Sequence, residues 1–207
     1  MSLKPVSNYH YQQAKFQLSA ARLSQLPPDQ GGEVAFVGRS NAGKSSVINA
    51  ITGVNGLART SKTPGRTQLI NYFTLDSKTR LVDLPGYGYA KVSEGLKKNW
   101  IHLVNAYLHG RKSLKGLILI VDIRRLLGEE ERRLLDWCRD AGLPVHVLLN
   151  KTDKLSHGAA KQKWLGLKRE LAGEPHTVQM FSASKKTGVE EARGILDHWL
   201  RGSHDAG

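Results

Sequence analysis

One octapeptide, Gly38-Arg39-Ser40-Asn41-Ala42-Gly43-Lys44-Ser45, narrows the possible folds of this chain more than any other feature. It follows the apolar run Val34 to Val37 and precedes a plausible helix, so the spacing predicts a strand running through a glycine-rich turn into a helix. Glycine at 38 and 43 lets the backbone turn its N–H groups inward and approach an anion closely, which a side chain would obstruct. Strand, tight turn and helix in that order form the opening unit of a parallel sheet.

Apolar runs and helical spacings alternate through the rest of the chain. Predicted strands are Val34 to Val37, Leu69 to Leu75, Arg80 to Leu84, Leu117 to Asp122, Val145 to Leu149 and Val178 to Phe181. The runs from Leu69 and Arg80 are joined only by Asp76 to Thr79, too short for a crossover, so that pair is expected to be antiparallel. Helical spacing links Leu96, Trp100, Leu103, Val104, Tyr107 and Leu108. It also links Ala160, Trp164, Leu167 and Leu171, and again Val189, Ala192, Leu196, Trp199 and Leu200. Packing against the sheet is the expected role of these tryptophans. The expected fold is α/β in three layers, a mostly parallel six-stranded sheet with one antiparallel strand and helices on both faces. Pro27 to Gly32 reads as a loop, which divides the chain into an N-terminal extension over 1–30, one binding domain over 31–201 and a disordered tail over 202–207.

Every chemical motif falls at the end of a predicted strand, where an open α/β sheet binds its ligands. In the octapeptide, Lys44 places a point charge on the β and γ phosphates of a nucleotide, Ser45 offers a hydroxyl to Mg²⁺, and the helix that begins there adds its positive end. Ser46 continues the segment. Asp83-Leu84-Pro85-Gly86 puts a carboxylate where it can hold the magnesium shell through water. The Gly86 N–H follows, able to bond a γ-phosphate only when one is present. Asn150-Lys151-Thr152-Asp153 chooses the base. The Asp153 carboxylate can accept from the guanine N1–H and exocyclic amine, a pair that adenine lacks. Asn150 ties the base loop either to the phosphate loop or to the guanine edge, and the stem of Lys151 can lie over the ring. In Ser182-Ala183-Ser184 the Ala183 N–H can reach the guanine oxygen. Together these motifs imply binding of GTP and GDP. Thr63 and Thr67 are both placed to supply the second magnesium hydroxyl, and spacing does not choose between them.

Composition limits the setting. The 207 residues are 40% apolar, enough for one sizeable core, and 31 Lys and Arg against 18 Asp and Glu give a formal charge of +13. That excess attracts polyanions such as nucleic acid or acidic lipid, although it also suits a merely basic soluble protein. Candidate phosphate contacts are Lys97, Lys98, Arg111, Lys112, Lys115, Lys161, Lys163, Lys168 and Arg169, spread over several elements. The single cysteine, Cys138, lies in a helical apolar pattern, and burial is its expected role. Met1 to Pro5 lacks the apolar core of a signal peptide, and the longest aliphatic stretch, Leu117 to Val121, is only strand length. A cytoplasmic protein without membrane contact is expected.

The chain closely resembles the EngB family, bacterial GTPases of the translation-factor-related class with the three-layer phosphate-loop GTPase fold. The likeness rests on Gly38 to Ser46, on Lys62-Thr63-Pro64-Gly65-Arg66-Thr67-Gln68-Leu69-Ile70-Asn71-Tyr72-Phe73, on Asp83-Leu84-Pro85-Gly86-Tyr87-Gly88-Tyr89-Ala90, and on Asp122-Ile123-Arg124. Alignment with the family's first switch selects Thr67 as the magnesium hydroxyl, with Gly65, Arg66, Gln68 and Leu69 around the nucleotide. The resemblance implies a Mg²⁺-dependent GTPase with Lys44, Thr67 and Gly86 in catalysis. Ser45 and Thr67 would bind the metal directly and Asp83 through water. Tyr87 stands where Ras-like enzymes carry a water-orienting glutamine, so slow intrinsic hydrolysis is expected. Asn41 resembles the potassium-binding asparagine of some related GTPases, which makes K⁺ a candidate activator. The resemblance further implies a monomeric switch acting with the large ribosomal subunit and its RNA, without DNA sequence readout, and needed for normal division and septation. The alternative is a GTP-dependent regulator of a protein partner in division.

Overall fold

The computed structural model describes residues 9–59, 69–87 and 103–201. The strands are β1 (Lys15–Ala20), β2 (Gly32–Gly38), β3 (Ile70–Thr74), β4 (Thr79–Asp83), β5 (Leu114–Asp122), β6 (Val145–Asn150) and β7 (Thr177–Met180). The helices are α1 (Lys44–Thr52), α2 (residues 103–110), α3 (Glu129–Asp140), α4 (His157–Glu170) and α5 (Val189–Leu200). One sheet takes the order β1-β3-β4-β2-β5-β6-β7. The strand β3 runs antiparallel to both its neighbours, and the other pairs are parallel.

The central strands are apolar throughout because both their faces are covered. Along β2, Val34 and Phe36 join one core with Val47, Ile48 and Ile51 of α1 and Val189, Ala192, Leu196 and Leu200 of α5. Ala35 and Val37 join the other, with Tyr107 of α2, Leu135 and Cys138 of α3, and Ala160 and Leu167 of α4. This is the three-layer α/β architecture expected from the sequence. Cys138 is fully buried, and burial pushes its thiol up to about 12. Trp164 donates its indole N–H to the Val178 carbonyl at 3.1 Å, and Trp199 covers Gly116, where an added Cβ would lie 2.3 Å from the ring. Leu96 and Trp100 lie outside the described residues.

The sheet has seven strands rather than six. The extra one, β1, comes from the segment expected to be an extension. Of its six residues only Ala20 is buried, so no apolar run announces it. Pairing with β3 through backbone bonds is what makes it a strand. Just before it, Tyr9 donates to the Leu200 carbonyl at 2.8 Å and Tyr11 to Asp197 Oδ1 at 2.6 Å, which ties the segment to α5.

A second correction concerns Arg111, expected among the surface phosphate contacts. Its side chain is 7% exposed, and it grips the fully buried Glu33 of β2 through Nη2 at 2.6 Å and Nε at 3.0 Å. Tyr107 donates to the same carboxylate at 3.0 Å. A buried carboxylate needs charge and donors around it, and Arg111 supplies both. Lys112, Lys115, Lys161, Lys168 and Arg169 are exposed, Lys163 is half-buried and donates to the Arg124 carbonyl at 3.1 Å, and Lys97 and Lys98 lie outside the described residues.

Candidate functional site

The motifs converge at the carboxyl end of the sheet. Gly38 closes β2, Asp83 closes β4, Asn150 closes β6, and Ser182 follows β7 by two residues. Parallel strands place their carboxyl ends together, which is why segments far apart in sequence meet there.

The phosphate-loop turn from Arg39 to Gly43 is closed by the Ala42 N–H donating to the Arg39 carbonyl at 2.9 Å, with Asn41 at φ 64° and Gly43 at φ 98°. At Gly43 the need for glycine is double. The positive φ strains any other side chain except asparagine or aspartate, and a Cβ would fall 2.4 Å from Asn150 Nδ2. Gly43 is also the N-cap of α1, whose first N–H groups open onto the loop. Lys44, in the first turn, extends its ammonium to Asp83 Oδ1, and Asn71 Nδ2 approaches Asp83 Oδ2 at 3.4 Å. Asp83 is only 4% exposed. A hydroxyl at Ser45 and this carboxylate are hard oxygen donors, the chemistry that Mg²⁺ accepts. Among the described residues no group of three or more His, Cys, Asp or Glu is placed to hold a metal.

The base side is organised by hydrogen bonds between loops. Asn150 Nδ2 donates to the Ala42 carbonyl at 2.9 Å and its Oδ1 accepts from the Ala183 N–H at 3.2 Å, so Asn150 staples three motifs together. Of the two roles left open for it, the tie to the phosphate loop is the one the geometry displays. Lys151, at φ 69°, donates to the Asn41 carbonyl at 2.6 Å and lies 3.1 Å from Asp122 Oδ2. Arg124 grips the same carboxylate at 2.6 and 2.9 Å and, with Lys151, holds Asp122 well below the usual carboxylate range. Asp153 accepts from Ser182 Oγ at 2.6 Å, and that bond, helped by Ser184 and Lys154, keeps it ionised below its ordinary value. Ser182 Oγ in turn accepts from the Lys185 N–H at 3.2 Å. Thr152 is fastened to the Phe181 carbonyl through its hydroxyl at 3.0 Å.

Tyr87 connects the second motif to the first. Its carbonyl accepts from the Ser40 N–H at 2.7 Å, and its buried hydroxyl donates to Glu131 Oε1 at 2.9 Å. Glu131 Oε2 caps α3 by accepting from the Gly128 N–H at 2.8 Å. Burial and the Glu131 charge raise the phenol far above its ordinary value. Leu84 and Pro85 are buried, while Gly86 and Leu69 are half-buried. Gly65, Arg66, Thr67 and Gln68, with the alternative Thr63, lie outside the described residues, as do Gly88 to Ala90.

Sequence reasoning assigned no role to Ser19, Asn71 or Glu131. Asn71 carried the clearest signal, an amide inside an otherwise apolar strand next to the phosphate-binding segments. Glu131 sits on an amphipathic helix among exposed acids, and nothing in its spacing separates it from Glu129 and Glu130.

Residues 33–151 match the model of a family described as 50S ribosome-binding GTPase. A probable GTP-binding protein EngB of Nitrosococcus oceani is 56% identical over 195 residues, covering 93% of this chain and 98% of the relative. Its counterpart in Coxiella burnetii is 52% identical over 193 residues, covering 92% and 94%. Among solved structures, a probable GTP-binding protein engB superposes with a TM-score of 0.66 at 21% identity, over 82% of this chain and 99% of the other. A single-site variant of Aquifex aeolicus Era bound to GDP.AlF4- gives 0.64 at 19% identity, over 82% and 56%. At such identities these two likenesses speak to the fold alone.

Proposed function

Since the chain belongs to the EngB family of GTP-binding proteins and is a GTPase, we propose that it works as a Mg²⁺-dependent switch that docks on the large ribosomal subunit in its GTP form. The observation that carries the switch is the convergence of Lys44, Asp83, Asn150 and Asp153 at the carboxyl end of the sheet. Lys44 neutralises the β and γ phosphates, the α1 N-terminus and loop N–H groups hold them, and Asp153 reads guanine with Ser182 fixing its carboxylate. Ser45 and Thr67 would hold magnesium directly and Asp83 through water. When bound, that ion neutralises charge on the transferring phosphoryl group. Gly86 senses the γ-phosphate, and Gly65 to Leu69 order with it.

Turnover by the protein alone is slow on this reading. Tyr87 commits its hydroxyl to Glu131, so it does not take over the water-orienting task beside Gly86. A cation or partner then supplies the missing charge. Asn41 is exposed, with its carbonyl engaged by Lys151, and its side chain is the candidate K⁺ ligand.

The ribosomal part is supported by the description of the matched family and by the formal charge of +13. Among the described residues no helix is long and apolar enough to cross a membrane. The switch is proposed to act as a cytoplasmic monomer because the large ribosomal subunit is its proposed partner. The role in division and septation is proposed to follow from subunit assembly. Sedimentation with purified large subunits, using a GTP analogue or GDP over a salt series, tests the proposal. Expected are tighter binding with the analogue and a steep loss with salt, because each neutralised phosphate releases counterions. Absence of binding in both nucleotide states at low salt would overturn it. Capture of a division protein that survives ribonuclease would favour the protein-partner reading instead.

A further inference from the structure

Ser19, Asn71 and Asp83 stand opposite one another on three adjacent strands. The β1–β3 register pairs Ser19 with Asn71, and the β3–β4 register pairs Asn71 with Asp83. Directly paired residues share a face of the sheet, so the three side chains form a row from its outer edge to the carboxylate beside Lys44. Ser19 Oγ donates to Asn71 Oδ1 at 2.6 Å, Asn71 Nδ2 donates to Asp83 Oδ2 at 3.4 Å, and Lys44 engages Oδ1.

Charge sets the direction of this chain of bonds. An ionised carboxylate only accepts, so Asn71 must turn its NH₂ toward Asp83 and its oxygen toward Ser19. The carboxylate sets that orientation, since a flipped amide would turn an oxygen toward it, and the Ser19 hydroxyl, able to donate or accept, answers by donating to Asn71 Oδ1. Apolar packing does not explain the row, since Ser19 is exposed and Asn71 only half-buried. Lys44 holds one oxygen here and Asn71 faces the other, so once a nucleotide draws Lys44 to its phosphates, Asn71 is the partner left to orient the carboxylate at the end of β4.

We propose that Ser19 and Asn71 are positioning residues for Asp83, which makes the edge strand β1 a working part of the magnesium site. The inference rests on the reading of Asp83 as the magnesium carboxylate. It extends the site beyond the span 33–151 that the family model matches, into a segment whose sequence suggests no function. Partners of this kind behind a metal-holding group set its orientation and basicity.

The readout is the Mg²⁺ concentration needed for half-maximal tightening of a fluorescent GTP analogue, measured at equilibrium without turnover, for wild type, Ser19→Ala, Ser19→Thr, Asn71→Val and Asp83→Asn. Both Ser19→Ala and Asn71→Val are expected to raise that midpoint, by roughly 10-fold at Asn71 and less at Ser19, with nucleotide affinity in EDTA unchanged. Ser19→Thr keeps the hydroxyl and is expected to stay within about twofold of wild type, a rescue that a merely structural role in β1 does not require. Thermal unfolding checks that each variant is folded, and the exposed Ser19 keeps the test open should Asn71→Val not fold. A shift in Asp83→Asn with none in Ser19→Ala or Asn71→Val overturns the relay and leaves the magnesium assignment standing. A shift in Asn71→Val without one in Ser19→Ala overturns the part played by β1. No shift in Asp83→Asn overturns the magnesium assignment, and the relay with it.

Discussion

Asp153 and Gly43 show how much a single atom decides at this site. Asp153 is an acceptor held in place and ionised by Ser182. Asp153→Asn puts an amide donor against the guanine N–H groups, and GDP affinity is expected to fall by a factor on the order of 10⁴, with XDP gaining because its C2 oxygen can accept. Titration with GDP, ADP and XDP measures this, and equal affinity of the unaltered protein for ADP and GDP would exclude the base assignment. Gly43→Ala strains the phosphate loop itself. It adds a Cβ 2.4 Å from Asn150 Nδ2 at a φ of +98°. The backbone strain alone is worth about 1–2 kcal/mol, and the Asn150–Ala42 bond must give way as well. Weaker GDP binding together with a lower urea midpoint is expected; an unchanged midpoint would mean that the loop relaxes around the methyl group.

At the scale of elements, the two ends of the sheet do different work. The carboxyl ends present charges to a ligand, whereas the opposite end closes on itself: Glu33 of β2 is held by Arg111 and Tyr107 of the α2 segment, and by Arg80 of β4 at 3.4 Å. Removing Arg111 leaves the buried carboxylate only the more distant Arg80 and the Tyr107 hydroxyl, and losing one partner of a buried pair costs up to about 3–5 kcal/mol. Arg111→Ala is therefore expected to lower stability by that amount in urea denaturation. The salt dependence of subunit binding should not change, whereas a surface phosphate contact would reduce the slope by about one unit. A stable Arg111→Ala protein with a shallower slope would return Arg111 to the nucleic-acid surface. The pairing of β1 with β3 belongs to this scale too, because it covers the edge of the strand that carries Asn71.

For the molecule as a whole, one centre of acid sensitivity among the described residues, besides the carboxylates, is a buried imidazole. His146 of β6 is 2% exposed, with Nε2 at 2.8 Å from Gln179 Oε1 and Nδ1 at 2.6 Å from Thr177 Oγ1. Gln179 gives its amide protons to the Gly188 carbonyl at 2.8 Å, so its oxygen faces the ring, Nε2 carries the proton and Nδ1 accepts from Thr177. Burial lowers the imidazole pKa from its ordinary 6.5, outweighing the bond to Gln179. A lowered value means that the unfolded chain binds the proton first as pH falls. His146 therefore contributes fully above 6.5, and its contribution is lost from there down through the folded value, by up to ~1.4 kcal/mol per pH unit. Urea unfolding at pH 7.5, 6.5 and 5.5 is expected to show this decline, reduced in His146→Gln. Identical pH profiles for the two proteins would place the acid sensitivity elsewhere.

The sequence by itself determined the three-layer α/β class, the expected strands and the residues gathered at their ends. Local chemistry suffices for these: a phosphate-binding turn needs glycine at 38 and 43, a strand buried on both faces needs a run such as Val34 to Val37, and a guanine site needs a carboxylate such as Asp153. Only the tertiary structure decided that Lys15–Ala20 is a strand, that Arg111 faces Glu33 rather than solvent, that Tyr87 is tied to Glu131, and that Ser19 and Asn71 stand in line with Asp83. Each of these depends on a partner many residues away. At an exposed edge or on a charged helix, one polar residue looks like the next until strand register and packing choose which of them meet.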